Sequence, residues 1–481
     1  MRPFSRVPPW AVNSAAAAAI GGLSWLIFSR AFLNYDTLYG LIWGRDLVSG
    51  RPPDYEVTLA PTPHPLVEAV GAPLSLLGED GGYTAMLAVA MLAFGALVWG
   101  IFLLGRESFG WPVGALAAFT LATREPFLSQ GMRAYVDIPF LALVIAAAVL
   151  EARRPRRGAP VLVLLALAGL LRPEAWLLAG AYWLYLLPGL PRPRAAQLGG
   201  LVLAAPLVWA ISDLAVTGDA LHSLTFTRDT AETLGRPQGI ENVPEVMPRR
   251  LGEILRWVPL LGGTAGFFLA LRFARERATL PAALAVLGGL AFVVIGIAGL
   301  SLLGRYLFLP AAMLCIFFGF AALGWIGRPL AGPWRTWVGG AAVLLVAFAG
   351  STASHQTDRL DGLRDGIQLR GAIQDDLRDL TRVDAAEAAF GRCDPVYVPN
   401  HRAVPILAWY LDRAPADFRS AQLETPRRGV YVAPQTDVVE EKFILDPRDP
   451  KRFEVPRQPA GFRPVAANDS WALYKRGCGE P

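Results

Sequence analysis

About eleven apolar runs, most of them near bilayer length, decide what this chain can fold into. Backbone inside hydrocarbon must satisfy its own hydrogen bonds, so each run that enters a membrane does so as a helix. The runs are read as approximately 11–33, 84–104, 111–123, 137–152, 159–171, 174–188, 197–216, 257–272, 281–300, 306–326 and 336–353. With 53% hydrophobic and 18% charged residues, this is a polytopic α-helical membrane protein and not one soluble core. The run after MRPFSRVPPW continues through Trp25 to Phe32, so it is expected to be a retained span and not a cleaved signal.

The net charge of +5 does not point to nucleic acid, because the arginines sit in short clusters between the runs. Arg2 and Arg6, Arg106, Arg153 to Arg157, Arg192 and Arg194, Arg272 to Arg277, then Arg328 and Arg335 fall on every second connection. Short arginine-rich connections are cytoplasmic. The N-terminus is then inside, while 34–83, 217–256 and the tail 354–481 are outside.

Two domains are expected. Residues 1–353 form the membrane domain with its outer loops, and 354–481 form a small extracytoplasmic α/β domain. In the tail, 357–390 has apolar positions at helical spacing (Leu360, Leu363, Ile367, Ile373, Leu377, Leu380). Strands are predicted at 394–399, 429–433 and 470–475, with a helix at 403–411. There is no Gly-rich phosphate loop, paired metal spacing or nucleophile elbow. Cys393 and Cys478 flank this domain and can form a disulfide if it lies outside the cytoplasm. Cys315, inside an apolar run, reads as a small core residue.

The stretch from Asn34 to His64 is too long to be a mere connection. It carries Asp36, Asp46, Asp54, Glu56 and His64 among Tyr35, Tyr39, Trp43 and Tyr55. Acids supply a base and aromatics a flat apolar platform, which together suit a hydroxyl-rich ligand such as a sugar. Two hairpins are also informative, because their arms are too short. At 1.5 Å per residue, Ala159–Leu171 and Ala175–Leu187 each climb only about 20 Å of a core roughly 30 Å thick. The apex Leu171-Arg172-Pro173-Glu174 therefore sits below the outer surface, as does the apex of 107–152 from Thr123 to Glu125 and from Arg133 to Asp137. Charges at that depth line a polar cavity with partners. Arg305 lies at the outer edge of another run, and Thr225, Arg228, Asp229 and Glu232 share one face of a surface helix.

In the order of these parts the chain resembles the GT-C glycosyltransferases, which include the protein O-mannosyltransferases and lipid A aminoarabinose transferases. The resemblance lies in an acidic first outer loop with Asp36 just after the first span and an apex with Arg133 and Asp137. It continues in Leu171-Arg172-Pro173-Glu174-Ala175-Trp176, in Gly304-Arg305-Tyr306-Leu307-Phe308-Leu309-Pro310, and in a soluble tail. It implies transfer of a sugar from a polyprenyl-phosphate donor to a glycan, lipid or protein acceptor on the outer face of the plasma membrane. Members often carry a paired acid in the first loop, whereas Thr37 follows Asp36 here.

Under this reading Asp36 is the base and Arg133, Arg172 and Arg305 hold the donor phosphate. Asp137 and Glu174 orient those arginines, and Asp46 and Asp54 are second-rank acids. Tyr35, Tyr39 and Trp43 stack on the sugar or the lipid. No cofactor is fixed by these residues, and Mg or Mn stays open. A variant reading places Mg or Mn on Asp36, Asp137 and His64. The alternative to an enzyme is a non-catalytic transport or envelope-assembly protein; the absence of an internal repeat and the large tail argue against a transporter.

Overall fold

The computed structural model describes residues 8–327, 333–445 and 456–478; Arg2, Arg6 and Arg328 lie outside these. All eleven apolar runs appear as helices: Pro9–Phe28, Gly78–Phe109, Trp111–Ala122, Asp137–Arg153, Ala159–Gly169, Glu174–Leu186, Arg192–Thr217, Trp257–Phe273, Arg275–Ile297, Phe308–Leu323 and Pro333–Ser351. Among the described residues six helices are long and apolar enough to cross a membrane alone, or up to eight if each of two bent pairs counts as one span. The chain is a multi-pass membrane protein. Its contacts divide it into two compact units, one of 1–29, 88–211 and 237–364 and the other of 30–87, 212–236 and 365–481. Of the outer loops read from sequence, 34–83 and the 217–236 part of 217–256 fall in the unit that holds most of the tail, while 237–256 falls in the first.

The first unit is a helical bundle centred on Phe308–Leu323, which is buried along almost its whole length. Close approach is made possible by glycine. A Cβ on Gly95 would strike the Ala17 carbonyl, and one on Gly266 the Phe317 carbonyl. With no hydrophobic drive between helices in lipid, such backbone proximity is the main source of packing energy. Two spans are broken: Glu125–Met132 meets Asp137–Arg153 at 111°, and Ile240–Leu255 meets Trp257–Phe273 at 110°. Ala134 and Arg256, at the two breaks, have positive φ. Arg124, beside the first break, is buried with its guanidinium on the Thr120 and Leu255 carbonyls, while Glu125 pairs with Arg256 at 3.1 Å. These charges satisfy backbone exposed by the breaks.

In the second unit the stretch expected to be a loop is largely helical. Tyr35–Val48 is capped by Asn34, whose side chain accepts from the Thr37 amide at 3.1 Å, and it packs on Pro65–Ser75. The contact is close because Gly44 faces the backbone of Gly71 and Ala72. The Pro-rich segment 51–64 links the two helices. The tail forms a five-stranded sheet of β1 (Val396–Val398), β2 (Phe418–Ser420), β3 (Gly429–Pro434), β4 (Arg463–Ala467) and β5 (Trp471–Arg476). Its order is β2-β1-β3-β5-β4, parallel where β1 meets β2 and β3, antiparallel elsewhere. β2 and β4 were not read from sequence, since both are largely exposed edge strands without alternation. The helix Thr357–Thr381 docks on β5 through the Trp471 indole, which donates to the Ile373 carbonyl at 2.8 Å. Cys393 and Cys478 are joined by a disulfide with Cα atoms 5.5 Å apart, and Cys315 is free and buried.

Candidate functional site

The charged cluster of the first unit is built where helices end. Arg172 lies in the turn between Ala159–Gly169 and Glu174–Leu186, arms of 11 and 13 residues. Its Nη1 donates to Asp137 Oδ1, and its Nε and Nη2 donate to Glu174 Oε1 at 3.0 and 2.7 Å. Arg305, in the short 3₁₀ turn Gly304–Leu307, places Nη1 3.8 Å from Asp137 Oδ2. Asp137 and Glu174 each open a helix, where the dipole favours a carboxylate. Two tyrosines knit the arginines together. Tyr306 lies 4.3 Å from the Arg172 guanidinium and 5.7 Å from that of Arg305. Tyr135 lies 5.0 Å from that of Arg133 and 5.7 Å from that of Arg305, and its hydroxyl accepts from Arg133 at 3.1 Å.

Sequence reading had named the five charged groups; the tyrosines were quoted in the motifs but given no role. Arg172 and Arg305 meet the two carboxylates, and Arg133 joins the cluster through Tyr135. Arg172 is spent on its two acids, with an 8% exposed side chain against 22% for Arg305. Arg305 is therefore the better placed to meet an anion, and it borders a small cleft with Arg172, Tyr306 and Phe140.

In the second unit Asp36 is the second residue of its helix and is half-buried. The aromatic residues expected to stack on a ligand stack on one another instead. Tyr35–Tyr39, Tyr39–Trp43 and Trp43–Tyr55 have ring centroids 4.9, 5.1 and 4.9 Å apart, and Tyr39 and Trp43 have essentially no exposed surface. Their spacing of four residues puts all three on one helix face, so the sequence itself held the signal for a mutual ladder. Only Tyr35 keeps an accessible edge. Asp46 is buried and paired with Arg51 at 3.0 Å. Asp54 lines a cavity of about 550 Å³, and burial pushes its carboxyl above the usual range. His64 begins the helix Pro65–Ser75, its carbonyl accepting from the Val67 and Glu68 amides. Among the described residues no group of three or more of His, Cys, Asp and Glu is placed to hold a metal ion, and the carboxylate of Asp137 is engaged by arginines.

Glu68, Glu151 and Asp213 are buried acids that escaped sequence reading. Glu68 is 3% exposed and accepts from the Tyr55 hydroxyl at 2.7 Å, which also meets Ser212 at 3.3 Å. Burial raises its pKa to about 7, the Tyr55 hydrogen bond opposing. The signal was an acid inside the otherwise apolar Pro65-Leu66-Val67-Glu68-Ala69-Val70.

No protein-family model and no curated protein matches the sequence. The fold, in contrast, is one already seen among solved structures. ArnT from Cupriavidus metallidurans bound to undecaprenyl phosphate is similar over 97% of each chain, with a TM-score of 0.56 and 14% identity. The same protein in its apo state gives 0.52 and 13% over the same shares. An oligosaccharyltransferase of Archaeoglobus fulgidus gives 0.48 and 11%, over 85% of this chain and 63% of the other.

Proposed function

We propose that the protein is an integral-membrane glycosyltransferase that moves a sugar from a polyprenyl-phosphate donor to a cell-envelope acceptor on the outer face of the plasma membrane. The observation that carries this reading is the arginine cluster around Asp137 in a fold shared with a protein bound to undecaprenyl phosphate. A lipid phosphate needs guanidinium donors at the edge of an apolar bundle, and Arg305, Arg172 and Arg133 supply that chemistry. Asp137 and Glu174 hold Arg172 in place.

In the reaction the acceptor oxygen bonds to the anomeric carbon as the bond from that carbon to the phosphate oxygen breaks. The electron pair leaves with the polyprenyl phosphate, whose charge the arginines stabilise. The acceptor's proton passes to the Asp36 carboxylate and then to water. The disulfide between Cys393 and Cys478 supports an oxidising compartment for the tail. Cysteine labelling of whole cells is expected to reach positions near Asp54, Gln238 and Ala416 and to miss those near Arg154, Arg194 and Arg275.

The test is transfer by purified protein from a polyprenyl-phosphate sugar to an envelope extract. Asp36→Asn is expected to lower transfer by about 10²–10⁴ while leaving donor binding unchanged. Arg305→Ala is expected to weaken binding of polyprenyl phosphate at least about tenfold, since a charge-assisted contact acts in the ground state as well. Full turnover in Asp36→Asn with loss in Asp46→Asn or Asp54→Asn would move the base. No dependence on any of these acids, with no donor binding, would end the glycosyltransferase reading.

A further inference from the structure

The cavity of the second unit has no part in the chemistry above. Its volume of about 550 Å³ is that of a small-molecule site. It draws its walls from three separate stretches, with Asp54, Glu56 and Leu59 from the first, Thr233 and Leu234 from the second, and Asn400 to Leu445 from the tail. Three carboxylates, those of Asp54, Glu56 and Glu424, face it against one guanidinium, that of Arg419. Arg419 is itself taken up by Glu424, at 3.2 and 3.1 Å from its two oxygens. Phe418, Val404 and Leu234 give the rest of the wall an apolar character.

His401 adds an independent sign of a ligand. Its Nδ1 is buried and makes no hydrogen bond among the described residues, while its ring meets Tyr35 edge-on at 5.4 Å. Burial, then the nearby Arg402 charge, lowers its pKa to about 3, so at neutral pH it brings an uncharged donor and acceptor. Asn400 is not available in the same way. Its amide is committed to the Ile444 carbonyl at 2.7 Å and the Arg402 amide at 3.0 Å, which fixes the wall.

We propose that this cavity binds a hydroxyl-rich sugar unit that carries no phosphate, neutral or amino-substituted, and that it holds the glycan of the acceptor. The second half of this rests on the glycosyltransferase reading; the first does not. Carboxylates and a neutral imidazole accept from sugar hydroxyls or an amine, and the apolar wall receives the sugar's C–H face. A phosphorylated sugar would bring its charge against three carboxylates of the wall, whose own guanidinium, Arg419, is already paired with Glu424.

The experiment uses the full-length protein in nanodiscs without donor, titrated by saturation-transfer NMR with maltose, a glucosamine disaccharide and trehalose 6-phosphate. Maltose and the glucosamine disaccharide are expected to bind saturably, and trehalose 6-phosphate at least about tenfold more weakly. Thr233→Trp and Leu423→Trp, both at exposed rim positions, should each abolish binding with the thermal midpoint kept. Asp54→Asn should weaken the glucosamine disaccharide more than maltose, and Arg305→Ala should change neither. Equal or tighter binding of the sugar phosphate, no binding of either other sugar, displacement of both by trilysine, or indifference to both tryptophans would overturn the proposal. Sugar binding without transfer from a polyprenyl-phosphate donor would leave the cavity standing and sink the transferase. Wild-type transfer in both tryptophan variants would remove the acceptor role alone.

Discussion

Arg172 and Glu68 are buried to nearly the same degree, one in each unit, and the two units treat a buried charge in opposite ways. Arg172 cannot shed its charge, so the first unit surrounds it with Asp137 and Glu174 and lays Tyr306 against its face. Glu68 can take up a proton, and the second unit gives it the Tyr55 hydroxyl and no arginine partner among the described residues. The difference shows two uses of low dielectric. One cluster keeps its charges fixed by pairing them. The other keeps a carboxyl balanced between its two protonation states near neutral pH.

The largest effect that could break this comparison is on Arg172. Arg172→Ala leaves Glu174 buried without its arginine and Asp137 with only the longer contact to Arg305, and should cost about 3–5 kcal/mol. A fall in thermal midpoint in detergent would show it. The triple variant Arg172→Met, Asp137→Leu, Glu174→Leu should recover most of that loss while remaining inactive in transfer, because no buried carboxylate is then left without its arginine. Equal midpoints for wild type and Arg172→Ala would mean the cluster is not a closed ion network.

Glu68 sharpens the other side. In the unfolded chain its carboxyl ionises near 4.5, whereas in the fold it holds its proton to about 7. Between those values the folded state binds a proton that the unfolded state has lost. Stability should therefore fall by about 3 kcal/mol as pH rises from 4.5 to 7 and level off above. Glu68→Gln should remove that slope, as read by midpoints taken from pH 4 to 8; an unchanged slope would place the titration elsewhere. The smallest effect is expected of Tyr55→Phe, about 1 kcal/mol. Since the lost hydrogen bond lowers the Glu68 pKa, its removal should carry the falling limb to higher pH.

Much of the helical frame was legible, and the residues show why. The apolar helices lie close to their sequence limits, for instance Trp257–Phe273 against 257–272 and Asp137–Arg153 against 137–152. The shortness of the hairpin arms was legible, since the runs 159–171 and 174–188 appear as helices of 11 and 13 residues. The helical nature of Tyr35–Val48 was obscured by its charges. Tyr35, Tyr39 and Trp43 were read by residue type, when their spacing already favoured stacking on one another.

What the sequence determined by itself was the set of segments that must be helical and the charges that cannot sit in lipid alone, because backbone and side-chain solvation act residue by residue. Tertiary structure alone decided which charges meet. Arg172 reaches Asp137 across 35 residues, and Tyr55 finds Ser212 across 157. It also decided that His401 and Asp54 share one cavity wall. Pairing at such range depends on helix ends and loop courses meeting in space, and no local periodicity records that.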